Sequence, residues 1–295
     1  MKRFAVELAV GYCNLCNAVI APSATIRDRL LTQGVSSRIA EIPTGVDTEL
    51  FGGGNGSSFR DELGIAEDQI IVGHVGRLAP EKGLDFLSTA VSQFVASQDN
   101  VRFVVAGDGP SVETIKLAFS RRGIADRLTL LGQLDRPQLA DLYAAMDVFA
   151  FASQSETQGM VITEAMAAGT PVVAVDAPGV REILDHSVNG ISLDQEDISA
   201  FVAALKTISD MPATQRKKFA DAAKATAKEC SIEKTASTAL DLYEELISEA
   251  DQRSHELGMW AVARRRVFEE WKIWSNTTGA MAHAVYSEGT RIADD

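Results

Sequence analysis

The chain has 295 residues, of which 46% are hydrophobic and 23% are charged, a composition typical of a globular protein that is long enough to bury a core. Its formal net charge of −13 argues against non-specific binding to nucleic acid and against a general attraction to anionic lipid. Three cysteines make no disulfide framework, so we predict a cytoplasmic protein.

The N-terminal elements are predicted to alternate between helix and strand. The pattern predicts a helix, a strand, a helix and a strand over residues 1–17, 18–21, 25–33 and 38–42. Glu7 interrupts the first apolar residues, so no signal peptide is expected, and no apolar run reaches the roughly 18 residues of a membrane span. Cys13 and Cys16 form a single Cys-x-x-Cys without a second pair, which does not favour a metal or redox role.

A glycine-rich segment follows. Residues 43–47 read Pro-Thr-Gly-Val-Asp, and residues 52–58 read Gly-Gly-Gly-Asn-Gly-Ser-Ser. Such a composition is typical of flexible linkers. We predict a tolerated surface loop over residues 52–58, with a hinge as the alternative.

From residue 69 the alternation of strands and helices becomes regular. Strands are predicted over residues 70–75, 101–106, 127–131, 148–152, 170–175 and 190–193. Helices are predicted over residues 82–94, 111–122, 137–145, 160–168, 180–184 and 197–208, and the remainder of the chain is predicted to be helical. Short apolar strands that alternate with helices predict an α/β fold with a doubly wound parallel sheet, covered on both faces.

Two carboxylates frame the loop and helix that follow the fourth of these strands. Glu156 lies in the polar loop, and Glu164 lies eight residues later on the helix that Gly159, Met160 and Val161 begin. Open α/β sheets bind ligands where loops enter helices beyond the carboxyl ends of strands. The start of a helix also presents N–H groups and a positive dipole end to an anion. The alternative is that the first carboxylate caps a loop and the second lies on a solvated helix face.

Two further junctions suit a phosphorylated ligand. Arg77 and Lys82 supply two cations after the first strand of the regular part, where Gly76 allows a close approach of the backbone. Cations at this position would stabilise an anionic leaving group, although an arginine and a lysine in a loop can also be merely solvated. Asp108 and Gly109 lie in a Gly-Asp-Gly-Pro turn after the next strand, which suits a tight turn beside a nucleotide.

Some other site classes are not favoured. There is no Gly-x-Gly-x-x-Gly with an acidic residue downstream, which weakens the case for a dinucleotide-dependent dehydrogenase. The four histidines, His74, His186, His255 and His283, have no metal-ligand spacing, so structural roles are expected for them.

Taken together, these motifs resemble the retaining glycosyltransferases of the GT-B type, in the family 4 (group 1) class that contains sucrose synthase and many bacterial mannosyl- and glucosyltransferases. The resemblance covers about residues 10–230. It implies that Glu156 contacts the transferred sugar, that Glu164 holds the ribose hydroxyls, and that Arg77 and Lys82 contact the diphosphate.

The same resemblance implies further donor-binding groups. Backbone N–H groups at Gly159, Met160 and Val161 are expected to hold the phosphate and sugar of the donor, and Asp108 and Gly109 are expected to form the loop beside the nucleotide. Catalytic roles are implied for Glu156, Arg77 and Lys82. In the family, retention is described as front-face displacement, in which the leaving diphosphate helps to deprotonate the acceptor.

The family pattern also implies a domain organisation. Residues 1–47 match a remnant of the N-terminal acceptor domain and the crossover, residues 48–230 match the Rossmann-like nucleotide-sugar domain, and residues 231–295 form a helical tail. Full-length relatives have many more residues before the Pro-Thr-Gly-Val-Asp segment. We therefore expect most of the N-terminal domain to be missing from this chain.

The expected activity is transfer of a hexose from a UDP- or GDP-linked sugar to a sugar, lipid or polysaccharide acceptor. No Asp-x-Asp pair occurs in the chain, so we expect no metal and no other cofactor. The alternative is a non-catalytic nucleotide-sugar-binding module that a partner chain completes. A GT-B epimerase or phosphorylase is a weaker alternative, because no matching motif occurs.

An apolar stripe near the C-terminus has several interpretations. It is formed at helical spacing by Trp260, Ala263, Val267, Trp271 and Trp274, and Arg264, Arg265 and Arg266 flank it. A packing helix is the plainer interpretation, and a helix on a membrane surface, which would make the protein peripheral to the membrane, is the alternative. Without its usual partner domain, the stripe would favour self-association or binding to a separate chain.

Overall fold

The computed structural model describes residues 2–154 and 156–256. The apolar stripe predicted at residues 260–274 lies outside this part of the chain. Among the described helices, none is long and apolar enough to cross a membrane.

Helices and strands alternate along nearly the whole described chain, as predicted. The strands are β1 (Ala18–Ala21), β2 (Arg38–Glu41), β3 (Ile70–Val75), β4 (Val101–Ala106), β5 (Leu128–Leu130), β6 (Val148–Phe151), β7 (Val172–Val175) and β8 (Gly190–Leu193). The first helices are α1 (Lys2–Cys13), α2 (Ala24–Thr32), α3 (Thr48–Gly52), α4 (Gly56–Glu62), α5 (Leu84–Ala96) and α6 (Val112–Ser120). The later helices are α7 (Arg136–Ala145), α8 (Met160–Ala168), α9 (Pro178–Arg181), α10 (Ile198–Ser209), α11 (Ala213–Glu229) and α12 (Ile232–Glu256).

The chain divides into two compact units. One unit is Thr44–Thr235, and the other comprises the described residues 2–43 and 236–256. In the second of these, β1 and β2 pair in parallel, and Arg38 on β2 forms an ion pair with Glu245 on α12 at 2.7 Å. The assignment of the two units to an acceptor domain and a donor domain stays a prediction.

The unit Thr44–Thr235 is built on a six-stranded parallel sheet. Its strand order is β5-β4-β3-β6-β7-β8, so the winding direction reverses between β3 and β6. Strands β6 and β7 are buried along their whole length, which explains why their sequences are continuous apolar runs. One core packs α5 and α10 against one face of the sheet, and a second core packs α3, α7, α8 and α11 against the other. The predicted doubly wound parallel sheet is confirmed.

The sheet opens at the point of reversal. The pairing of β3 with β4 extends from Ile70 to Val75, whereas the pairing of β3 with β6 joins only Val72 to Val148 and Gly73 to Phe149. Beyond Gly73 the two strands no longer pair. In open α/β sheets this kind of reversal creates the crevice in which ligands bind.

The surface loop predicted over residues 52–58 is wrong in that most of the segment is helical, and the hinge alternative stays a prediction. The segment contains the end of α3 and the start of α4, which Asn55 caps through its side chain. A Cβ atom added to Gly54 would lie 2.2 Å from the carbonyl oxygen of Ala140 on α7, and one added to Gly56 would meet the next turn of that helix at 2.4 Å. Gly54 and Gly56 are therefore close-packing positions against α7, because only glycine leaves room for the facing backbone.

Candidate functional site

A cavity of about 500 Å³ lies at the carboxyl ends of β3, β4 and β5. Four of the predicted donor-site residues line it, namely Gly76, Arg77, Asp108 and Gly109. Its volume falls in the usual range for sites that bind small molecules. The structure thus brings together two of the motifs that the sequence analysis singled out.

Backbone hydrogen bonds join the loops around this cavity. The N–H of Leu78 donates to the carbonyl of Asp108 at 2.9 Å, and the N–H of Gly107 donates to the carbonyl of Gly132 at 2.7 Å. The carboxylate of Asp108 accepts a hydrogen bond from the N–H of Gly109 at 2.8 Å. Backbone hydrogen bonds thus hold the three loops against one another, so the cavity is largely preorganised.

Sequence reasoning missed part of the lining of the cavity. Gln133 and Leu134, in the loop after β5, line it together with Leu139 on α7. The available signal was positional, because the loop after β5 lies at the same edge of the sheet as the loops after β3 and β4. No residue type in Gln133-Leu134 points to a ligand by itself.

Lys82 and Glu156 form an ion pair between the loops that follow β3 and β6. These are the strands that flank the opening of the sheet. Both side chains are mostly covered, with 22% and 16% exposed. Arg77, in contrast, is 68% exposed and is ion-paired with Glu81. The two predicted cations are therefore each held by a carboxylate, one inside the crevice and one at its rim.

Glu164 does not lie on a solvated helix face. The hydroxyl of Tyr143 on α7 donates a hydrogen bond to Glu164 Oε2 at 2.9 Å. Burial raises the pKa of Glu164, against the opposing effects of the Tyr143 hydrogen bond and the charge of Arg136. Tyr143 follows the cavity-lining Leu139 by one helical turn, so both side chains lie on the same face of α7. Glu164 is thus bound to α7, the helix that contributes Leu139 to the lining of the cavity.

The N-terminus of α8 follows directly after the loop that carries Glu156. Gly159 is its N-cap, with φ of 70°, and offers no side chain to cap the helix. The first N–H groups of a helix, here those of Met160 and Val161, have no partner within the helix and lie at the positive end of its dipole. This end of α8 has the properties of an anion-binding site.

His74 is buried in the opening between β3 and β6. Its Nδ1 lies 3.0 Å from the carbonyl oxygen of Ala150, so Nδ1 carries the hydrogen. This side-chain hydrogen bond links β3 to β6 just beyond the point where their backbone pairing ends. Burial lowers the pKa of His74 to about 4. The positive charge of Lys82 lowers the pKa further, whereas the hydrogen bond to Ala150 and the negative charge of Glu156 oppose the shift. The residue is neutral at neutral pH. Its Nε2 has no hydrogen-bond partner within the described part of the chain.

Stability should therefore depend on pH through His74. Between pH 6.5 and about 4 the unfolded chain binds a proton that the folded chain excludes, so the free energy of unfolding falls as the pH is lowered through this window. The full loss should be on the order of 3 kcal/mol. In His74→Asn, the side-chain amide keeps the donor to Ala150 but does not titrate.

Urea unfolding of both proteins from pH 4 to pH 8 measures this dependence. Above pH 6.5 the two curves of unfolding free energy against pH should run parallel, which serves as the internal control. The raised pKa of Glu164 acts on both proteins alike and cancels in the difference. Parallel curves throughout the range would mean that His74 is not a buried neutral histidine.

Within residues 2–154 and 156–256, no three His, Cys, Asp or Glu side chains are grouped where they could hold a metal ion. Whether the protein requires a metal stays a prediction. Arg77, Lys82 and the start of α8 each bring positive charge to the crevice.

Comparison with known families agrees with this site. The sequence model described as glycosyl transferases group 1 matches residues 57–226, which is more than half of the chain. This chain belongs to the group 1 glycosyltransferase family. The matched residues contain β3 to β8 and all of the predicted donor-site residues. A second family, described as glycosyltransferase family 4, matches residues 1–50.

Relatives of this group 1 family member include enzymes with different named activities. A D-inositol 3-phosphate glycosyltransferase of Segniliparus rotundus is 35% identical over 185 residues, which cover 59% of this chain and 41% of that protein. An alpha-monoglucosyldiacylglycerol synthase of Streptococcus pneumoniae is 30% identical over 211 residues, which cover 69% of this chain and 48% of that protein. The chain thus spans less than half the length of these two relatives.

Solved structures share its fold. The Anabaena protein HepE in complex with UDP and glucose superimposes with a TM-score of 0.72 at 27% identity, covering 84% of this chain and 68% of HepE. Sucrose-phosphate synthase from Thermosynechococcus elongatus gives a TM-score of 0.72 at 26% identity, covering 84% and 62%. The predicted GT-B class of fold is confirmed by these neighbours.

Proposed function

We propose that this chain carries the donor site of a retaining glycosyltransferase that moves a hexose from a UDP- or GDP-linked sugar to an acceptor. The observation that carries the proposal is the Lys82–Glu156 ion pair, which lies where β3 and β6 separate. Beside it are the cavity at the ends of β3 to β5 and the start of α8. Such a set suits a ligand with a base, a diphosphate and a sugar. The family membership and the UDP-bound relative HepE support the same assignment.

The proposed chemistry follows from the charges. The nucleoside occupies the cavity, Glu164 accepts hydrogen bonds from the ribose hydroxyls, and the diphosphate displaces the carboxylates that now pair with Arg77 and Lys82. Glu156, released from Lys82, then faces the sugar. Preorganised cations and helix N–H groups stabilise the charge that develops on the diphosphate as it leaves.

In the proposed transfer, the bond from the anomeric carbon to the diphosphate oxygen breaks. A bond to the acceptor oxygen forms on the same face of the sugar, and the proton of the acceptor hydroxyl passes to the leaving diphosphate. No metal is needed if the two cations and the α8 start carry the compensating charge. Retention of configuration, independence of metal and a cytoplasmic location are parts of this proposal. The acceptor is a sugar, a lipid or a polysaccharide.

A second candidate function is binding of the nucleotide sugar without transfer, with a partner chain supplying the acceptor site. The observation in its favour is that every donor-site residue named above belongs to the single compact unit Thr44–Thr235. Donor binding by this unit alone is therefore compatible with an acceptor site on another chain. Sugar transfer by the isolated chain, measured as release of UDP or GDP in the presence of candidate acceptors, distinguishes the two.

Calorimetric titration of the chain with UDP and with GDP tests the donor site. We expect one nucleotide to bind, and we expect Arg77→Ala, Lys82→Ala to weaken its binding about a thousandfold, because each of the two charge-assisted contacts contributes about 1.5–3 kcal/mol. The double variant Lys116→Ala, Arg121→Ala removes two positive charges from the exposed face around α6 and is the matched control. It should bind as the wild type does.

Repeating the titration with EDTA tests the absence of a metal. Failure of a folded chain to bind either nucleotide would overturn the donor site. Equal losses in the two double variants would show that only net charge matters, which would also contradict the assignment.

A further inference from the structure

The side chain of Gln158 pairs with the backbone of Thr44. Its Nε2 donates to the carbonyl oxygen of Thr44 at 2.9 Å, and its Oε1 accepts from the N–H of Thr44 at 2.7 Å. Gln158 is 6% exposed, so both bonds are shielded from water. A buried amide that satisfies a donor and an acceptor of one residue acts as a two-point clamp, because losing either partner would leave a buried polar group unpaired.

The clamp attaches to a segment that is itself held in place. Two residues after Thr44, the N–H of Val46 donates to the carbonyl of Cys230 at 2.8 Å, and the carbonyl of Val46 accepts from the N–H of Ile232 at 3.0 Å. The chain passes from one compact unit to the other between Pro43 and Thr44. Gln158 therefore ties its loop to an anchored point beside this crossing.

The loop that the clamp holds carries two parts of the proposed donor site. Gln158 lies between Glu156, which pairs with Lys82, and Gly159, which begins α8. On its other side the backbone of Gln158 packs so closely against Gly179 that an added Cβ there would lie 2.7 Å from the Gln158 nitrogen. The loop is thus fixed from both sides, by the Thr44 backbone and by the segment around Gly179.

We propose that Gln158 is a positioning residue of the donor site. It holds the loop so that Glu156 meets the sugar and the first N–H groups of α8 meet the phosphate, although Gln158 itself touches neither. The effect of Gln158 on ligand binding rests on the proposed function, whereas its effect on the position of the loop does not. The two parts therefore need separate readouts.

Gln158→Glu is the informative substitution. An ionised carboxylate still accepts a hydrogen bond from the Thr44 N–H, but its other oxygen faces the Thr44 carbonyl oxygen. These two acceptors repel each other, whereas in the wild type the Gln158 Nε2 donates to that carbonyl oxygen. Gln158→Met keeps the approximate shape without charge and removes both bonds, so it serves if the first variant fails to fold. Gln93→Glu makes the same charge change at an exposed position on α5 and is the matched control.

Hydrogen exchange without ligand is the first readout. In Gln158→Glu and Gln158→Met, peptides that cover residues 153–162 should exchange about tenfold faster than in the wild type, while β3 and β4 and the Gln93→Glu control should be unchanged. Wild-type exchange in this loop would overturn the proposal, whatever the chain binds. A general acceleration across the sheet would overturn it too, because the role of Gln158 would then be in global stability.

Affinity is the second readout, with UDP and UDP-glucose as probes, or GDP and GDP-mannose if the chain selects guanine. The Gln158 variants should lose about tenfold more affinity for the nucleotide sugar than for the nucleotide, because the sugar end depends on the loop while the cavity after β3 to β5 does not. Equal losses for both probes would contradict a role through Glu156. If the wild type binds neither probe, the donor site fails, and the exchange experiment still decides the role of Gln158.

Discussion

Glu156→Gln is expected to tighten the binding of UDP about tenfold, whereas Lys82→Met is expected to weaken it about a hundredfold. Lys82 is ion-paired with Glu156, so a diphosphate must separate the pair before it can use the lysine. Glutamine at position 156 removes that competitor and the repulsion between carboxylate and phosphate, an effect of about 1–2 kcal/mol at a partly covered site. Methionine at position 82 keeps the apolar stem and removes the only charge that the lysine offers. The two variants should differ about a thousandfold.

Calorimetric titration with UDP measures both affinities, and the double variant Glu156→Gln, Lys82→Met completes the cycle. In the double variant the part of the tightening that comes from freeing the lysine should be lost, because no lysine is left, and only the effect of removing the carboxylate–phosphate repulsion should remain. Transfer should behave differently from binding, since Glu156→Gln should lower turnover even where it tightens UDP. Weaker UDP binding in Glu156→Gln would mean that the glutamate supports the phosphate site in another way.

Much of the fold could be predicted from local sequence alone. The strand predicted over residues 101–106 coincides with β4, because a short apolar run between polar turns determines it locally. The helix predicted over residues 160–168 coincides with α8, because a glycine precedes it and another glycine ends it. The helix predicted over 82–94 begins at Leu84 instead, because Pro80–Lys82 forms a 3₁₀ turn. This error of two residues at the start of the helix also has a local cause.

The parts that sequence could not supply are contacts between distant segments. The glycines of residues 52–58 were interpreted as freedom of the backbone, but Gly54 faces a carbonyl on α7 that is distant in the sequence. The same holds for Tyr143 beside Glu164 and for Gln158 beside Thr44. The contact partner of a tyrosine or a glutamine cannot be predicted from its residue type. The charged residues of the site were predictable, while the neutral residues that hold them were not.

Gly107→Ala is expected to lower the free energy of unfolding by about 4 kcal/mol, which is unusually large for the addition of one methyl group. Gly107 follows β4 with φ of 133°, a conformation that residues with a side chain rarely adopt. An added Cβ would also lie 1.8 Å from the carbonyl oxygen of Gly76, so the two loops would have to move apart. Backbone strain contributes about 1–2 kcal/mol and the forced separation about 1–3 kcal/mol.

Gly123→Ala separates these two contributions. Gly123 also has a positive φ, of 70°, but an added Cβ would meet nothing within 4 Å. In this control the free energy of unfolding should therefore fall only by the contribution of backbone strain, about 1 kcal/mol. Urea unfolding followed by far-UV circular dichroism measures both variants. Because Gly76 and Gly107 both line the cavity, a Gly107→Ala protein that still folds should also lose UDP affinity, which Gly123→Ala should keep. Equal destabilisation by the two substitutions would show that the loops after β3 and β4 can separate without cost, and the cavity would then not be preorganised.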